Sequence, residues 1–315
     1  MEGRGVTLSI VVPIYNEMES LFELQDQICR VCEGAGISFE VIYVDDGSTD
    51  ASFKVLEELH GKDSRAKVIQ FRKNFGKSEA LSAGFSVATG KMIVTMDADL
   101  QDDPAEIPHL IAKLDEGYDL VSGWKKERRD PVSKRLPSRF FNRITSLLTG
   151  IRIHDFNCGL KIYRREVVES LKERVYGELH RYLPVIAHQN GFVVTELPVT
   201  HRQRKYGKSK YGVTRFARGA FDFLTINFLT RYRKRPLHLF GILGFLSFIA
   251  GFAISVLLTY EKLILDKDLS NRPLLVLGVL LIIVGIQFIS IGLLGEMITA
   301  SRQENDSFHI KRYLR

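Results

Sequence analysis

The first 125 residues of the chain alternate short apolar runs with segments of helical periodicity. The apolar runs predict β-strands at Leu8–Val12, Val41–Val44, Val68–Phe71, Met92–Met96 and Leu120–Ser122. The segments between them predict amphipathic helices at Ser20–Cys32, Ala51–Leu59, Ser78–Ala88 and Pro104–Leu114. Strands that alternate with helices form right-handed βαβ units, so we predict an α/β fold around a mainly parallel sheet.

The last quarter of the chain has a different pattern, with two long apolar runs at Leu237–Tyr260 and Pro273–Met297. A helix needs roughly 20 apolar residues to cross the hydrocarbon core of a bilayer. Both runs are long enough, and the short polar segment between them suits a turn between antiparallel helices. We therefore predict two transmembrane helices, a membrane partner and a multi-pass protein.

The charge of the chain predicts its orientation in the membrane. The net charge is +7, but the stretch from Arg202 to Arg235 alone holds eleven basic residues and one acid, Asp222. Arg302 and three further bases follow the second apolar run. Excess positive charge stays on the cytoplasmic side, so we expect the main body and both termini in the cytoplasm, at the inner (plasma) membrane. A basic run beside a membrane span meets anionic lipid, and we expect no nucleic-acid partner.

These patterns divide the chain into four predicted parts. Residues 1–211 form the α/β domain, and residues 212–236 form a basic amphipathic juxtamembrane helix that lies in the membrane interface. Residues 237–300 hold the two transmembrane helices, and residues 301–315 form a cytoplasmic tail.

Polar residues follow three of the predicted strands, at the sheet edge where α/β proteins bind ligands. They form the sequences Pro13-Ile14-Tyr15-Asn16-Glu17, Asp45-Asp46-Gly47-Ser48-Thr49-Asp50 and Asp97-Ala98-Asp99-Leu100-Gln101-Asp102-Asp103-Pro104. No Gly-x-Gly-x-x-Gly motif follows the first strand. Gly76-Lys77-Ser78 lacks the upstream glycine and strand of a P-loop, so we interpret that match as chance.

The acidic residues in these sequences suit either a ligand or a helix cap. Asp97 and Asp99 are two residues apart, so in an extended segment their carboxylates point the same way and suit a hard divalent cation; Gln101 repeats the spacing. Capping of the next helix is the alternative, and we expect it of Asp50, Asp102 and Asp103. Asp45 and Asp46 fit hydrogen bonds to a nucleobase or ribose, with a cap or turn as the alternative.

Together, the three sequences resemble glycosyltransferase family 2, which has the GT-A fold, a Rossmann-like sheet. The closer resemblance is to its polyprenyl-phosphate glycosyltransferases, relatives of dolichyl-phosphate mannose synthase whose bacterial members carry a C-terminal pair of spans. The resemblance implies that the donor's base and ribose are held by Pro13, Tyr15, Glu17, Val44 and Asp46. It implies that the diphosphate and a Mg²⁺ or Mn²⁺ ion are surrounded by Asp97, Ala98, Asp99 and Gln101, with Lys125 and Arg204 as basic residues near the diphosphate.

The resemblance and the charge chemistry together predict the acceptor. A phosphate monoester is largely anionic at pH 7, so it attacks without a general base, and the site needs cations to position it. Lys134, Arg135 and Ser138 lie on the basic edge of an amphipathic segment, and we predict that they bind the prenyl phosphate. The alternative for this edge is an ordinary solvated surface. The expected reaction is inverting, metal-dependent transfer of one hexose, from a UDP-glucose or GDP-mannose type of donor, to undecaprenyl phosphate.

Two other functions stay open. A processive polysaccharide synthase shares the fold, but it usually has a Gln-x-x-Arg-Trp motif, and the single tryptophan here is Trp124. A non-catalytic membrane protein that only binds sugar nucleotides is the other alternative. The pairs Gly241/Gly244 and Gly292/Gly295 and the amide of Gln287, which we expect to be buried, predict close helix packing or a homo-oligomer.

Overall fold

The computed structural model describes residues 6–126, 146, 150–151, 153–171, 177, 179–203, 205–206, 235–266 and 273–302. The chain divides into two compact units, Met1–Phe223 and Leu224–Arg315. The first contains the predicted α/β domain and the second contains the two predicted membrane helices. The boundaries predicted at residues 211, 236 and 300 stay predictions.

The first unit is built on one sheet of seven strands. The strands are β1 (Leu8–Ile14), β2 (Phe39–Asp45), β3 (Ala66–Gln70), β4 (Met92–Thr95), β5 (Leu120–Trp124), β6 (Lys161–Arg164) and β7 (Val194–Pro198). Their order across the sheet is β3-β2-β1-β4-β6-β5-β7, and β6 runs antiparallel to both of its neighbours while the other pairs are parallel. The prediction of a mainly parallel α/β sheet is confirmed.

The helices that connect the strands cover both faces of the sheet. They are α1 (Leu21–Gly34), α2 (Ser52–Lys62), α3 (Lys77–Val87), α4 (Ile107–Asp115), α5 (Arg165–Leu171) and α6 (Leu183–Gln189). Alternate residues of β1 show the division: Ile10 packs in the cluster that contains Ile28 of α1, and Val11 packs in the cluster that contains Phe85 of α3. A strand covered on both faces reads as a continuous apolar run, and this is why β1 and β2 were predictable.

Two strands were not predicted from the sequence. β6 is only four residues long and includes Lys161, and every residue of β7 is at least partly exposed. Neither has the apolar run or the clean alternation on which strand prediction depends. Both nevertheless contribute to the candidate site, because β6 pairs with β4 and β7 pairs with β5.

The edge of the sheet opposite the candidate site holds a buried carboxylate, Glu40. Its Oε1 atom accepts hydrogen bonds from the Ser9 hydroxyl at 2.5 Å and from the Thr89 N–H at 2.7 Å, and Oε2 pairs with Lys67 Nζ at 2.5 Å. Burial raises the pKa of Glu40, but these partners outweigh it and lower the pKa to about 2. Glu40 therefore ties the starts of β1 and β2 to the chain just before β4.

The second unit contains two long helices, α7 (Pro236–Leu263) and α8 (Pro273–Arg302). An 18-residue stretch of each helix has a mean hydropathy of 2.3 in α7 and 2.9 in α8, and the described part of the chain has two helices long and apolar enough to cross a membrane. Both predicted spans are thus present as helices, each extended by a few residues.

Glycines bring α7 and α8 into direct backbone contact. A Cβ atom on Gly244 would lie 2.6 Å from the Gly285 carbonyl oxygen, and one on Gly251 would lie 2.5 Å from that of Gly278. Gly244 therefore packs as predicted, but the space beside Gly241 meets only its own helix, at Leu237. The expectation that Gln287 is buried is wrong, because its side chain is exposed on the surface of α8.

Candidate functional site

The loops that follow β1 and β2 are joined by hydrogen bonds at the carboxyl edge of the sheet. Asn16 has a positive φ of 55°, its N–H donates to the Ser48 hydroxyl at 2.9 Å, and its side-chain oxygen accepts from the Thr49 N–H at 2.7 Å. The Glu17 N–H donates to the Ser52 hydroxyl at 2.9 Å. The two polar sequences identified above thus form one continuous surface.

Asp46 links this surface to the start of α3. One carboxylate oxygen accepts the Phe75 N–H at 2.7 Å, and the other accepts the Gly76 N–H at 2.9 Å. The neighbouring Asp45 accepts the Ser48 N–H at 3.1 Å and closes a turn. Burial raises the pKa of Asp46, although the two backbone donors oppose it. The turn that the sequence left open is therefore present at Asp45, whereas Asp46 binds the two residues before α3 and does not cap a helix. Contact of Asp46 with a nucleotide stays a prediction.

Gly47 is required by the shape of this turn. Its φ is +67°, in the left-handed region that glycine adopts without strain. A Cβ atom there would lie 2.4 Å from the Lys73 carbonyl carbon. The Asp45-Asp46-Gly47 sequence therefore packs directly against the segment that leads into α3.

The other predicted nucleotide-binding residues differ in how exposed they are at the carboxyl edge of the sheet. Pro13 is partly exposed near the end of β1, and Tyr15 and Glu17 are partly exposed in the loop after it. Val44 is fully buried, and its side chain packs in the core on one face of the sheet. Ala98 is also buried. Val44 also lies in β2 between β1 and β3 and exposes no surface, so its contact with the donor stays a prediction. Tyr15 and Glu17 are partly accessible.

Asp97, at the end of β4, lies among three lysines. Lys77, the first residue of α3, donates a hydrogen bond to Asp97 Oδ1. Burial raises the pKa of Asp97, but the charges of Lys77, Lys125 and Lys161 outweigh it and hold that pKa well below its usual range. Gly159 leaves room for the carboxylate, because a Cβ atom there would lie 2.6 Å from Asp97 Cγ.

Asp99 and Gln101 complete the predicted metal-binding sequence. Asp99 is buried, and its Oδ1 accepts the Gln101 N–H at 3.2 Å. Leu100 between them has a φ of 59°, so the segment turns sharply there. The Gln101 side-chain nitrogen lies 3.4 Å from His201 Nε2, which brings the chain after β7 to this loop.

The residues present fit a hard divalent cation. Asp97 and Asp99 offer carboxylate oxygens and Gln101 offers an amide oxygen, the donor types that Mg²⁺ and Mn²⁺ prefer. Within the described part of the chain no three His, Cys, Asp or Glu side chains form a metal-binding group. A Mg²⁺ site usually takes only one or two carboxylates from the protein, and substrate phosphates and waters complete its shell.

Lys125 is mostly buried, with 14% of its side chain exposed, and forms an ion pair close to this sequence. Its Nζ lies 3.0 Å from Asp102 Oδ1, and Asp102 is 1% exposed. Burial lowers the pKa of Lys125, but the interactions with Asp102, Cys158 and Asp97 raise it by a larger amount. The net pKa is raised, so Lys125 stays protonated. The expectation that Asp102 caps a helix is wrong because its carboxylate is committed to Lys125. The cap is Asp103, whose Oδ1 accepts the Ala105 N–H at 3.0 Å, and Asp50 likewise accepts the Ser52 N–H at 2.9 Å.

Several residues at the site were missed by sequence reasoning. Lys77 belongs to the Gly-Lys-Ser match that we interpreted as chance, and it contacts Asp97 directly. Lys161 is buried in β6, donates to the Cys158 carbonyl, and has its pKa lowered by burial and then by Lys77. No signal in the sequence marked Lys161, because β6 was not predicted and lysine is almost never fully buried without a partner.

His180 forms a second contact with the start of α3. Its Nδ1 lies 3.0 Å from the Ser78 hydroxyl, and its backbone N–H donates to the same hydroxyl at 3.1 Å. Burial lowers the pKa of His180 well below its usual value, and Lys77 lowers it further. His180 is therefore neutral at physiological pH and holds Ser78 in place.

The only tryptophan of the chain forms a small cluster at the end of β5. The Trp124 ring stacks on His154 with centroids 4.3 Å apart, and the His154 N–H donates to Glu196 Oε2 at 2.7 Å. Trp124 directly precedes Lys125 in the chain. The cluster therefore joins β5, β7 and the segment before β6 beside the candidate site.

Four predicted site residues lie outside the described residues: Lys134, Arg135, Ser138 and Arg204. The same holds for most of the predicted juxtamembrane helix. Their predicted roles in acceptor and diphosphate binding stay predictions.

The sheet order and the helices on both faces define an α/β domain of the GT-A class. Two solved structures show the same fold, each with a TM-score of 0.51 and covering 71% of this chain. One is glucosyl-3-phosphoglycerate synthase from Mycobacterium tuberculosis, in complex with Mn²⁺, uridine diphosphate and phosphoglyceric acid, 20% identical over 78% of its chain. The other is mannosyl-3-phosphoglycerate synthase from Rubrobacter xylanophilus, 15% identical over 74% of its chain.

Sequence comparison assigns the family. The model of glycosyl transferase family 2 matches residues 9–172. Dodecaprenyl-phosphate galacturonate synthase from Rhizobium johnstonii is 37% identical over 311 residues, which cover 96% of this chain and 91% of that protein. The chain therefore belongs to glycosyl transferase family 2 and is a glycosyltransferase, so the resemblance found in the motifs is confirmed.

Proposed function

We propose that this enzyme transfers one sugar from a nucleotide-diphosphate sugar to a polyprenyl phosphate at a membrane surface. The observation that carries the proposal is the group of lysines around Asp97, at the carboxyl edge of a GT-A sheet. The same chain has two helices long enough to cross a membrane. The match to a dodecaprenyl-phosphate sugar synthase over almost the whole chain supports the lipid acceptor.

The donor is held where the loops after β1, β2 and β4 meet. Tyr15 and Glu17 have accessible side chains for the base and ribose, and Asp46 shapes the adjoining turn. Lys77 and Lys125 supply positive charge where the diphosphate lies. Asp97, Asp99 and Gln101 would hold Mg²⁺ or Mn²⁺, which supplies charge stabilisation for the departing nucleoside diphosphate.

The acceptor is itself the nucleophile. A phosphate monoester is already largely anionic at pH 7, so the chain needs cations to orient it rather than a base to deprotonate it. We assign this task to Lys134, Arg135 and Ser138, and contact with the diphosphate to Arg204. A single in-line displacement at the anomeric carbon inverts its configuration.

The donor sugar is one hexose or hexose-derived unit. UDP-glucose and GDP-mannose types are our first candidates, and the name of the Rhizobium relative adds a galacturonate donor to them.

The placement in the membrane follows from charge. The basic residues before α7 and after α8 put the α/β unit and both termini on the cytoplasmic side. We also propose that copies associate through α8. Gln287 lies near the middle of that span with its side chain exposed, and an amide in hydrocarbon is stabilised by hydrogen bonding across helices.

The test is sugar transfer by the full-length protein in detergent. Radiolabelled UDP-glucose, UDP-galacturonate and GDP-mannose are each incubated with undecaprenyl phosphate and Mn²⁺ or Mg²⁺. A chelator and Asp99→Asn serve as negative controls. Asp26→Asn is the matched control, because Asp26 forms an exposed ion pair with Arg30 on α1 and is not a predicted site residue.

The expected result is one glycolipid, formed from one donor, that is lost with the chelator and with Asp99→Asn but retained with Asp26→Asn. Absence of transfer from every donor, with UDP or GDP binding intact, would refute the lipid-phosphate assignment and favour a binding-only protein. Products of many sugar units would instead indicate a processive synthase.

A further inference from the structure

The first turn of α3 contacts a different segment at each of four successive residues. These contacts are Gly76 with Asp46 after β2, Lys77 with Asp97 after β4, Ser78 with His180, and Glu79 with the Gly177 N–H. Three of these four contacts involve backbone atoms and fix the start of the helix in place. The Lys77 contact joins two side chains, so it can change without moving the helix.

Lys77 occupies a position that is unfavourable for the helix itself. It is the first residue of α3, where the positive end of the helix dipole repels a cation. Nothing in helix stability favours a lysine there. The favourable partner is the carboxylate of Asp97, and both side chains are about 30% exposed, so solvent and ligands reach the pair.

We propose that Lys77 is a resident cation that occupies the metal-binding oxygen of Asp97 in the free enzyme and moves to the donor's diphosphate when the metal-bound nucleotide enters. This inference rests on the metal and donor assignments of the proposed function. It assigns a role in ligand exchange to a residue whose sequence motif gave no such indication.

The charges around Asp97 explain why an exchange is required. Lys77 already neutralises Asp97, and Lys125 and Lys161 add positive charge nearby. A divalent ion that approached with Lys77 in place would meet an occupied carboxylate oxygen and the repulsion of the Lys77 ammonium. The nucleotide diphosphate brings negative charge and gives the displaced ammonium a new partner. The flexible four-carbon side chain of lysine can follow it without backbone movement.

The exchange predicts that metal and nucleotide help one another to bind. Without nucleotide, Mn²⁺ must displace Lys77 at a cost. With nucleotide, the ammonium is transferred to phosphate oxygens, and the cost falls. Removal of the charge should therefore strengthen binding of Mn²⁺ alone and reduce the benefit that UDP brings.

The experiment measures Mn²⁺ binding to the full-length protein in detergent by electron paramagnetic resonance of the free ion, with and without UDP. GDP replaces UDP if the transfer assay selects a GDP-sugar. The variants are Lys77→Met, which removes the charge, and Lys77→Arg, which keeps it. Lys62→Met is the matched control, because it removes the same charge away from the site. Lys62 pairs with Glu58 on the exposed face of α2.

Lys77→Met should bind Mn²⁺ alone about fivefold more tightly than the wild type, the scale expected for loss of a partly exposed ion pair. The gain in Mn²⁺ affinity caused by the nucleotide should be smaller in this variant, while Lys77→Arg and Lys62→Met resemble the wild type. Equal or weaker binding of Mn²⁺ by folded Lys77→Met would overturn the inference and leave the proposed function intact. If wild type, Lys77→Arg and Lys62→Met all fail to bind Mn²⁺ even with the nucleotide, the metal assignment itself is wrong, and the inference with it. Circular dichroism of each variant establishes that it is folded.

Discussion

The contact of Asp46 with the start of α3 allows a direct separation of a structural role from a ligand-binding role. The carboxylate accepts the Phe75 and Gly76 N–H groups at 2.7 and 2.9 Å, the last backbone donors before α3 begins at Lys77. Asp46→Ala removes both acceptors. Asp46→Asn keeps one of them and places an amide donor against the other N–H.

The size of the effect follows from these two bonds. A hydrogen bond to a charged group contributes about 1.5–3 kcal/mol, so the pair contributes about 3–6 kcal/mol in gross terms. Burial of the carboxylate opposes this, as its raised pKa shows, and we expect a net loss of about 2–4 kcal/mol for Asp46→Ala. For a unit of this size, each kcal/mol lost from the free energy of unfolding lowers the melting temperature by about 2–4 °C. The melting temperature of Asp46→Ala should therefore fall by about 8 °C. Asp46→Asn should show roughly half of that fall.

The assay is thermal unfolding of the full-length protein in detergent, followed by the fluorescence of Trp124, together with titration of the nucleotide that the transfer assay selects. Asp50→Ala is the control, since Asp50 accepts a single N–H at the start of α2 from an exposed position. It should lower the melting temperature by only about 2 °C. If Asp46→Ala melts within about 2 °C of the wild type, the two hydrogen bonds of Asp46 do not stabilise the fold as predicted. If Asp46→Asn loses nucleotide affinity at an unchanged melting temperature, Asp46 is a direct ligand instead.

Three further predictions follow from contacts described above. Gly159→Ala places a Cβ atom 2.6 Å from Asp97 Cγ and should displace the carboxylate. The rate of sugar transfer should fall about 100-fold with little change in melting temperature. A rate within about threefold of the wild type would contradict this prediction. Gly251→Ala clashes with the Gly278 backbone and should destabilise the second unit in detergent by about 1–3 kcal/mol, whereas Gly241→Ala should not; equal effects would show that the helices do not pack through Gly251. Glu40 has a pKa lowered to about 2 from 4.5, so its charge stabilises the fold above pH 4.5 and this contribution is lost as the pH falls towards 2. Denaturant unfolding measures the free energy of unfolding at pH 4.5 and at pH 3. Between these values the wild type should lose about 2 kcal/mol more than Glu40→Gln, and equal losses would refute the prediction.

The main elements of the fold could be predicted because their cause is local. β1 and β2 are buried on both faces and are therefore continuous apolar runs, and the helices between the strands show amphipathic periodicity. The two membrane-length helices need only length and composition. The chain order of strands and helices also places Asp46 and Asp97 at one edge of the sheet, because parallel strands end together.

The partners of each site residue could not be predicted, because they come from distant parts of the chain. Asp97 meets Lys77 from α3 and has Gly159 behind it, and Lys125 pairs with Asp102 rather than standing alone. A sequence pattern reports which residues are apolar or charged, but an ion pair depends on the distance between side chains. That distance is set by strand order.

The antiparallel insertion of β6 between β4 and β5 is the clearest example. It places Lys161 and Gly159 beside the end of β4, although β6 follows β4 by more than 60 residues and has no apolar run of its own. The sequence by itself determined the α/β class, the carboxylate-lined edge and the two apolar helices, all of which follow from local periodicity and strand direction. The tertiary structure decided which charges face one another at Asp97, because electrostatic pairing acts through space and not along the chain.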